Sequence, residues 1–371
     1  MAGIYVHIPF CKSRCIYCGF FSTTSLEKRR FYVDAVVREL RDRRDFLGNV
    51  PVDTIYFGGG TPSLLPVEET ERLISAIYNI YNVREGAEVT LEGNPDDLSP
   101  AMLRDLKRIG VNRLSMGVQT VQSELLQKIG RIHDFGQVEE TFRMAREAGI
   151  MNISADLMYA LPGQTLEMWT QSLEEMMKLQ PQHLSCYALI VNEDTPFGAL
   201  EAAGKLHRPD EDEEMQMQNV TAQVLAKHGL YQYEVSNYAK PGFACRHNVG
   251  YWTRRDYIGL GCAAHSLEGN VRRSNVCGLE EYISGAGFAE EEVLSPEDAA
   301  FEELMLGLRM TRGVSEADFA ARHGATLESC YGERLRSLAA RGLMEYAGGF
   351  WRLTRRGMDV QNAILVELMD D

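Results

Sequence analysis

Positive charge is in short supply in this chain. There are 38 Lys and Arg against 53 Asp and Glu, for a net charge of −15 and a pI near 5.1. No strong basic patch offsets that balance, which argues against wrapping nucleic acid or lying on anionic lipid. An apolar run of membrane-spanning length is missing, and so is a basic-then-apolar leader. The chain is therefore expected to be cytoplasmic, with no transmembrane segment and at most transient contact with a membrane protein. Repeats and low-complexity tracts are also missing.

Cysteine is present but unevenly spent. Of 8 Cys, three fall within one short stretch, Cys11, Cys15 and Cys18, spaced C-x3-C-x2-C. In a reducing compartment such a cluster reads as metal-binding or catalytic. Three thiolates can wrap one metal centre and leave a coordination position open, as a reactive centre requires. Structural zinc is the competing occupant, but zinc takes four ligands and no nearby fourth Cys or His has the usual spacing. Cys186, Cys245, Cys262, Cys277 and Cys330 are scattered and read as small buried hydrophobes or free thiols.

Strand-like and helix-like segments alternate from the start. Strands are expected at residues 3–7, 52–57, 88–92, 113–116, 152–159 and 183–189. Helices are expected between and after them, at 26–47, 67–81, 100–109, 121–129, 136–148 and 166–179. Six strands each followed by a helix predict an α/β fold, a partial (β/α)6 TIM-like barrel. An open doubly wound sheet is the competing arrangement. Further on, residues 209–228 read as a helix with an acidic start and a basic end, and 231–266 as an irregular aromatic and Gly-rich stretch. Helices near 316–323 and 327–341 precede a hairpin centred on Ala347-Gly-Gly349, the order of a winged-helix-like module. The expected division is a barrel over 1–200, a barrel extension over 201–292 and a smaller helical, winged-helix-like domain over 293–371.

Polar residues recur at the strand ends. The Cys loop follows the first strand and Gly58-Gly-Gly60-Thr61 the second, while Glu92, Gln119, Asp156 and Tyr187 lie at or near the ends of the next four. In a parallel α/β fold these ends share one rim, where such folds bind ligands. The triple glycine either brings backbone N–H groups close to a ligand or makes a tight turn. It is not a Walker loop, because no Gly-Lys-Ser/Thr follows. Arg131 either caps a helix or grips a carboxylate in bidentate fashion. A later cluster, Cys245-Arg-His247-Asn-Val-Gly-Tyr251-Trp252, reads as an aromatic patch around a hydrogen-bonded His, or as an axial imidazole with flat walls for a haem.

Taken together, these motifs resemble the radical S-adenosylmethionine (SAM) superfamily, in particular the branch of oxygen-independent coproporphyrinogen III oxidases and HemW-type haem chaperones. The resemblance spans nearly the whole chain. It rests on Tyr5-Val-His-Ile-Pro-Phe-Cys11-x3-Cys15-x2-Cys18, Gly58-Gly-Gly-Thr-Pro-Ser-Leu-Leu65, Gly117-Val-Gln119, Gly130-Arg-Ile-His133, Asp156-Leu-Met-Tyr-Ala-Leu-Pro-Gly163, Tyr233-Glu-Val-Ser-Asn237 and His247-Asn-x2-Tyr-Trp252. It implies a [4Fe-4S] cluster on Cys11, Cys15 and Cys18, with the fourth iron chelated by SAM and one electron cleaving SAM to methionine and a 5′-deoxyadenosyl radical. It further implies SAM contacts from Tyr5, Tyr17, Gly59, Gly60, Thr61, Glu92, Gln119, Arg131 and Asp156, and haem contacts from His247, Tyr251 and Trp252.

Within the branch, the oxidases carry a further Cys where this chain has Phe20, and an extension ahead of the Cys loop, whereas Cys11 here is close to the start. Both departures favour the chaperone type, whose cargo is haem and whose partners are an apo-haemoprotein, expected to be respiratory, and an electron donor, neither identified by the sequence. Coproporphyrinogen III oxidation, or another radical step on a tetrapyrrole, is the alternative. Gly19, Asp96-Asp97 and Ala263 also depart from the commoner residues of the group, and none is a cluster ligand.

Overall fold

The computed structural model describes residues 1–369; the last two residues of the 293–371 stretch lie outside the described residues. Six strands run β1 (Ala2–Ile8), β2 (Val52–Gly59), β3 (Val83–Gly93), β4 (Arg113–Gln119), β5 (Asn152–Tyr159) and β6 (His183–Ala188). They lie side by side in chain order and all parallel. A doubly wound sheet would reverse its order at a switch point; the unbroken order is that of a partial barrel. The covering helices are α1 (Arg29–Asp42), α2 (Val67–Ile80), α3 (Pro100–Arg108), α4 (Ser123–Lys128), α5 (Phe135–Glu147) and α6 (Leu166–Lys178). The first stops at Asp42 rather than 47, because residues 43–49 fold into successive turns that include Gly48 at φ 51°.

Strand alternation sorts the residues into two faces. Ile4, Val6, Ile55, Phe57, Val89, Leu91, Leu114, Met116, Ile153, Ala155 and Leu184 are buried in the main hydrophobic core. The intervening residues are polar: Tyr5 and His7, Thr54 and Tyr56, Glu88, Thr90 and Glu92, Arg113 and Ser115, Ser154 and Asp156, His183, Ser185 and Tyr187. These polar residues face the barrel interior, where they bond to one another.

Both edges of the sheet are extended. After α7 (Pro196–Ala202) and α8 (Glu211–Lys227) come the short strands β7 (Tyr231–Gln232) and β8 (Asn237–Ala239); β8 adds antiparallel to β6, and β7 antiparallel to β8 at the edge. Past α9 (Arg246–Trp252), β9 (Tyr257–Leu260) pairs parallel with β1. It is followed outward by β10 (His265–Glu268), β11 (Val271–Asn275) and, after α10 (Leu279–Ser284), β12 (Phe288–Val293), giving a 12-stranded sheet. The helix α9 lies against the starting ends of β1 to β3: Arg246 donates to the carbonyls of Asp53 and Gly86, and the His247 N–H donates to Glu88.

The last part has its own apolar cluster, with Leu304, Phe319, Leu327, Leu335, Leu338, Trp351 and Leu353 at its centre. It contains α11 (Pro296–Gly307), α12 (Glu316–His323) and α13 (Leu327–Ala340), capped by Ser295, Ser315 and Thr326. Its three-stranded sheet orders β13 (Val314–Ser315), β15 (Phe350–Leu353) and β14 (Met344–Ala347), turning at Gly348 and Gly349. Among the described residues no helix is long and apolar enough to cross a membrane.

One close approach sets the position of the Cys loop. Gly60 donates to the Ile8 carbonyl (2.9 Å) and Thr61 to the Phe10 carbonyl (2.8 Å), so the end of β2 is zipped to the entry of the loop. A Cβ on Gly60 would lie 2.8–2.9 Å from backbone atoms of Ile8, Pro9 and Phe10. Gly60→Ala is therefore expected to cost about 1–3 kcal/mol, measured by urea unfolding; a loss under about 0.5 kcal/mol would be within the range of an ordinary surface change and contradict this packing.

Candidate functional site

The finishing ends of the strands surround a cavity of about 710 Å³. Cys11, Cys15, Cys18, Tyr17, Gly59, Gly60, Thr61, Glu92, Gln119, Arg131 and Asp156 all line it. The three thiols are free, and Thr61 Oγ1 donates to Cys11 Sγ at 3.6 Å. Burial pushes the Cys11 and Cys18 thiols up. Among the described residues no three His, Cys, Asp or Glu side chains are already gathered as a metal shell. The Cys loop is irregular between residues 11 and 19, with no helix or strand to hold the thiols apart.

Below the loop the wall is charged. Tyr56 donates to Glu92 Oε1 (2.7 Å) and the Gly59 N–H to Oε2 (3.2 Å). Burial, helped by the nearby Asp156 charge, nevertheless pushes Glu92 up from 4.5 to about 7. Asp156 is also raised by burial, against the pull of hydrogen bonds from Ser185 and Ser115 and of Arg113. Arg131 donates to Asn94 Oδ1 and to the Tyr17 hydroxyl (3.2 Å). Gln119 ends β4 at φ 67°, a left-handed conformation unusual for a residue with a side chain, and accepts from Tyr187 at 3.0 Å.

Three polar atoms in this wall are buried without a protein partner: Arg131 Nε, His133 Nδ1 and Asn237 Oδ1. The Nε2–H of His133 donates to the Val118 carbonyl, and burial keeps the ring neutral, so Nδ1 is an acceptor. A buried polar group left unpaired is costly, and one donor with two acceptors around a cavity fits a polar ligand. The thiol donor set beside it fits a thiolate-bound metal centre.

The glycine stretch behaves differently from a simple amide cradle. The N–H groups of Gly59, Gly60 and Thr61 are spent on Glu92, Ile8 and Phe10. The Thr61 carbonyl is also taken, by the Leu64 N–H, which leaves the carbonyl oxygens of Gly59 and Gly60 for a ligand, and these suit a cationic amine rather than an anion. Tyr5 does not line the cavity. It supports the wall from behind, stacked on Tyr56 with centroids 6.3 Å apart and donating to His7 Nδ1.

His247, Tyr251 and Trp252 are not brought to the cavity. His247 is 3% exposed at the opposite, starting end of the barrel. Both ring nitrogens are used, Nδ1 with Thr54 Oγ1 and Nε2 with the Tyr251 hydroxyl, each at 2.9 Å. The ring stacks on Tyr56 at 5.1 Å, and burial lowers its pKa to about 3. Ligating an iron would require breaking one of these bonds, so the motif serves here as the barrel floor. Trp252 stacks under the Arg309 guanidinium, 4.5 Å from the ring centre.

The strand-end reading did not single out Tyr56, Ser115, Asn94 or Asn237. The signal for Tyr56 and Ser115 was the alternation itself: an apolar face toward the helices leaves the polar face inside. Asn237 had no such signal, since it enters from β8, a short strand outside the six-strand rhythm.

Residues 5–176 match the Radical SAM superfamily and residues 294–360 the HemN C-terminal domain. The chain is 37% identical to "Heme chaperone HemW" of Bacillus subtilis (strain 168), covering 98% of each chain. It is 36% identical to "Heme chaperone HemW" of Lactococcus lactis subsp. lactis, covering 99% of this chain and 97% of the relative. For the protein of that name from Escherichia coli (strain K12) the identity is 31%, over 98% and 97%. The solved structure of coproporphyrinogen III oxidase (HemN) from Escherichia coli superimposes with a TM-score of 0.85 at 23% identity, covering 99% of this chain and 89% of that one. That likeness speaks to the fold.

The raised Glu92 gives a stability signature. Because the folded chain holds its proton more tightly than the unfolded chain, ionising Glu92 costs stability as pH rises from 4.5 to about 7. Relative to Glu92→Gln, the wild type is expected to lose on the order of 1–2 kcal/mol between pH 5 and pH 8, the full shift being discounted because the carboxyl faces an open cavity. Urea unfolding at both pH values measures this, and parallel behaviour of the two proteins would contradict it.

Proposed function

The chain belongs to the HemW family of the radical SAM superfamily, and from that membership we propose that it binds haem and delivers it to haem-requiring proteins. Superfamily membership carries SAM and an iron–sulfur cluster with it. In this reading the cluster is of the [4Fe-4S] type, held by Cys11, Cys15 and Cys18, with one iron left for SAM. When bound, the cluster supplies a single electron to SAM.

The wall residues divide the binding of SAM among them. Glu92 and the carbonyls of the Gly59–Gly60 turn take the amino group of SAM, since both are acceptors for a cation. Arg131, with an unpartnered Nε, takes an anionic or carbonyl group. Asp156 and Gln119 accept or donate to hydroxyls and ring nitrogens, and His133 Nδ1 accepts from a further donor. Tyr17 fixes Arg131 from the Cys loop, which couples the loop to the floor of the ligand site.

The observation that carries the chaperone reading over the oxidase reading is Phe20 in the cavity lining, where a further thiol would add to the redox chemistry of the loop. The recipient is taken to be respiratory and the setting cytoplasmic, on the same family reading.

The test uses the full chain, reconstituted anaerobically with iron and sulfide and loaded with haem, then mixed with haem-depleted respiratory membranes with and without SAM. Coproporphyrinogen III with SAM and reductant is assayed in parallel. Haem is expected to move to the membrane haemoproteins, with no protoporphyrinogen formed. Conversion of coproporphyrinogen without haem transfer would replace the chaperone reading by the oxidase one.

A further inference from the structure

Tyr233-Glu-Val-Ser-Asn237 turns the chain from β7 into β8 and touches three parts of the protein at once. On the inside, Ser236 and Asn237 line the cofactor cavity. On the floor side, the Tyr233 hydroxyl bonds to His183 Nε2 (2.9 Å) and accepts from the Cys245 N–H at the start of α9 (3.3 Å). On the outside, the turn is gripped by the chain that follows α11. The Val235 N–H donates to the Arg309 carbonyl (3.1 Å), the Thr311 N–H donates to the Tyr233 carbonyl (3.0 Å), and Glu234 and Met310 form an antiparallel bridge. Because β7 is the outermost strand on this side of the sheet, the turn has no further strand of the sheet to pair with. Residues 309–311 of the C-terminal part supply those partners.

Asn237 is placed to use that support. Asp156 on β5 stands beside Ser185 on β6, and Ser185 stands opposite Asn237 on β8, so the three belong to one layer of the wall. Asn237 is 7% exposed, and its Oδ1 has no partner within the protein. Three residues back in the turn lies a buried carboxyl, Glu234, 1% exposed, whose Oε1 accepts from the Ser236 N–H at 3.0 Å. Burial pushes Glu234 up; the Ser236 N–H, the Arg309 charge and the Asn237 side chain pull it back. An ionised carboxylate only accepts, so it attracts the NH2 end of the Asn237 amide and leaves the carbonyl end for the cavity. Arg309, itself set over the Trp252 ring, stabilises the charge that orients Asn237.

We propose that Asn237 is a ligand-contacting residue of the cofactor cavity, its Oδ1 accepting from a hydroxyl or amine of SAM, and that the C-terminal part positions it through Arg309 and Glu234. The proposal rests on the chain binding SAM, which superfamily membership carries. Asn237 touches the ligand; Glu234 and Arg309 act through it. Residues 309–311 do not line the cavity, so their influence on it runs through the turn they hold.

The experiment measures SAM affinity of the anaerobically reconstituted full chain by equilibrium dialysis, with thermal unfolding of the same samples. Asn237→Ala is expected to weaken SAM binding about five- to tenfold, the effect of one lost hydrogen bond in a buried site. Arg309→Met is expected to weaken it about threefold in the wild-type background and not at all in the Asn237→Ala background, while lowering the unfolding temperature equally in both. That difference separates positioning from a general loosening of the fold. Arg355→Met breaks another contact of the C-terminal part with the barrel region, the bond to Asn219 on α8, and is expected to leave SAM affinity within about twofold. SAM affinity unchanged in Asn237→Ala, with wild type binding SAM, would overturn the proposal and leave the cofactor reading intact. An equal effect of Arg309→Met in both backgrounds would overturn the positioning role. A reconstituted wild type that binds no SAM would overturn the cofactor reading, and the proposal with it.

Discussion

Arg113 is the cation on which the inside of this barrel depends. Its side chain is fully buried on β4, and the charges it answers are Glu88, Glu92 and Asp156 on the neighbouring strands. Two of these carboxyls, Glu92 and Asp156, face the cofactor cavity and are already pushed up by burial, Glu92 also by the Asp156 charge. Without a buried positive charge the interior would carry uncompensated acid groups in a low dielectric, which is among the costliest arrangements a fold can hold. With it, an acidic wall can exist beneath the thiols and receive a cationic ligand.

The second constraint is steric. Backbone bonds between the end of β2 and the start of the Cys loop leave no room for a Cβ at Gly60. The glycine stretch therefore acts first as a seam and only then as a ligand surface. It fixes the loop's entry over the barrel, while the rest of the loop stays irregular and can adapt to a cluster. Tyr17, reaching from that loop to Arg131, ties the thiols to the same wall.

Much of this was legible from residue order. Period-2 alternation and the strand–helix rhythm give the six parallel strands, and strand-end placement brings Glu92, Gln119, Asp156 and the cysteines to one opening. Two things were not legible. The direction of the amides at Gly59, Gly60 and Thr61 depends on which backbone approaches them, and spacing does not encode that. The place of His247 depends on Thr54, 193 residues away in the chain, and on Tyr56 beneath it. Aromatic and His residues within one short helix look alike whether they face a ligand or plug a barrel; only the long-range partner separates the two.

The two ends of the barrel therefore have different work. The floor is closed by α9 through hydrogen bonds to Asp53, Thr54, Gly86 and Glu88, and the mouth is open, with the acidic wall inside and the thiols above it. Both depend on the interior charge balance, and its most direct measurement is the unfolding free energy of Arg113→Met as a function of pH. The loss relative to wild type should be about 3–5 kcal/mol at pH 8, where the unfolded state holds its carboxylates ionised and the folded variant must bury them without the Arg113 charge. It should shrink clearly by pH 5, as Glu92 and Asp156 are held protonated in the folded variant at a smaller cost. A loss that is under about 1 kcal/mol, or one that does not change with pH, would contradict the role assigned to Arg113.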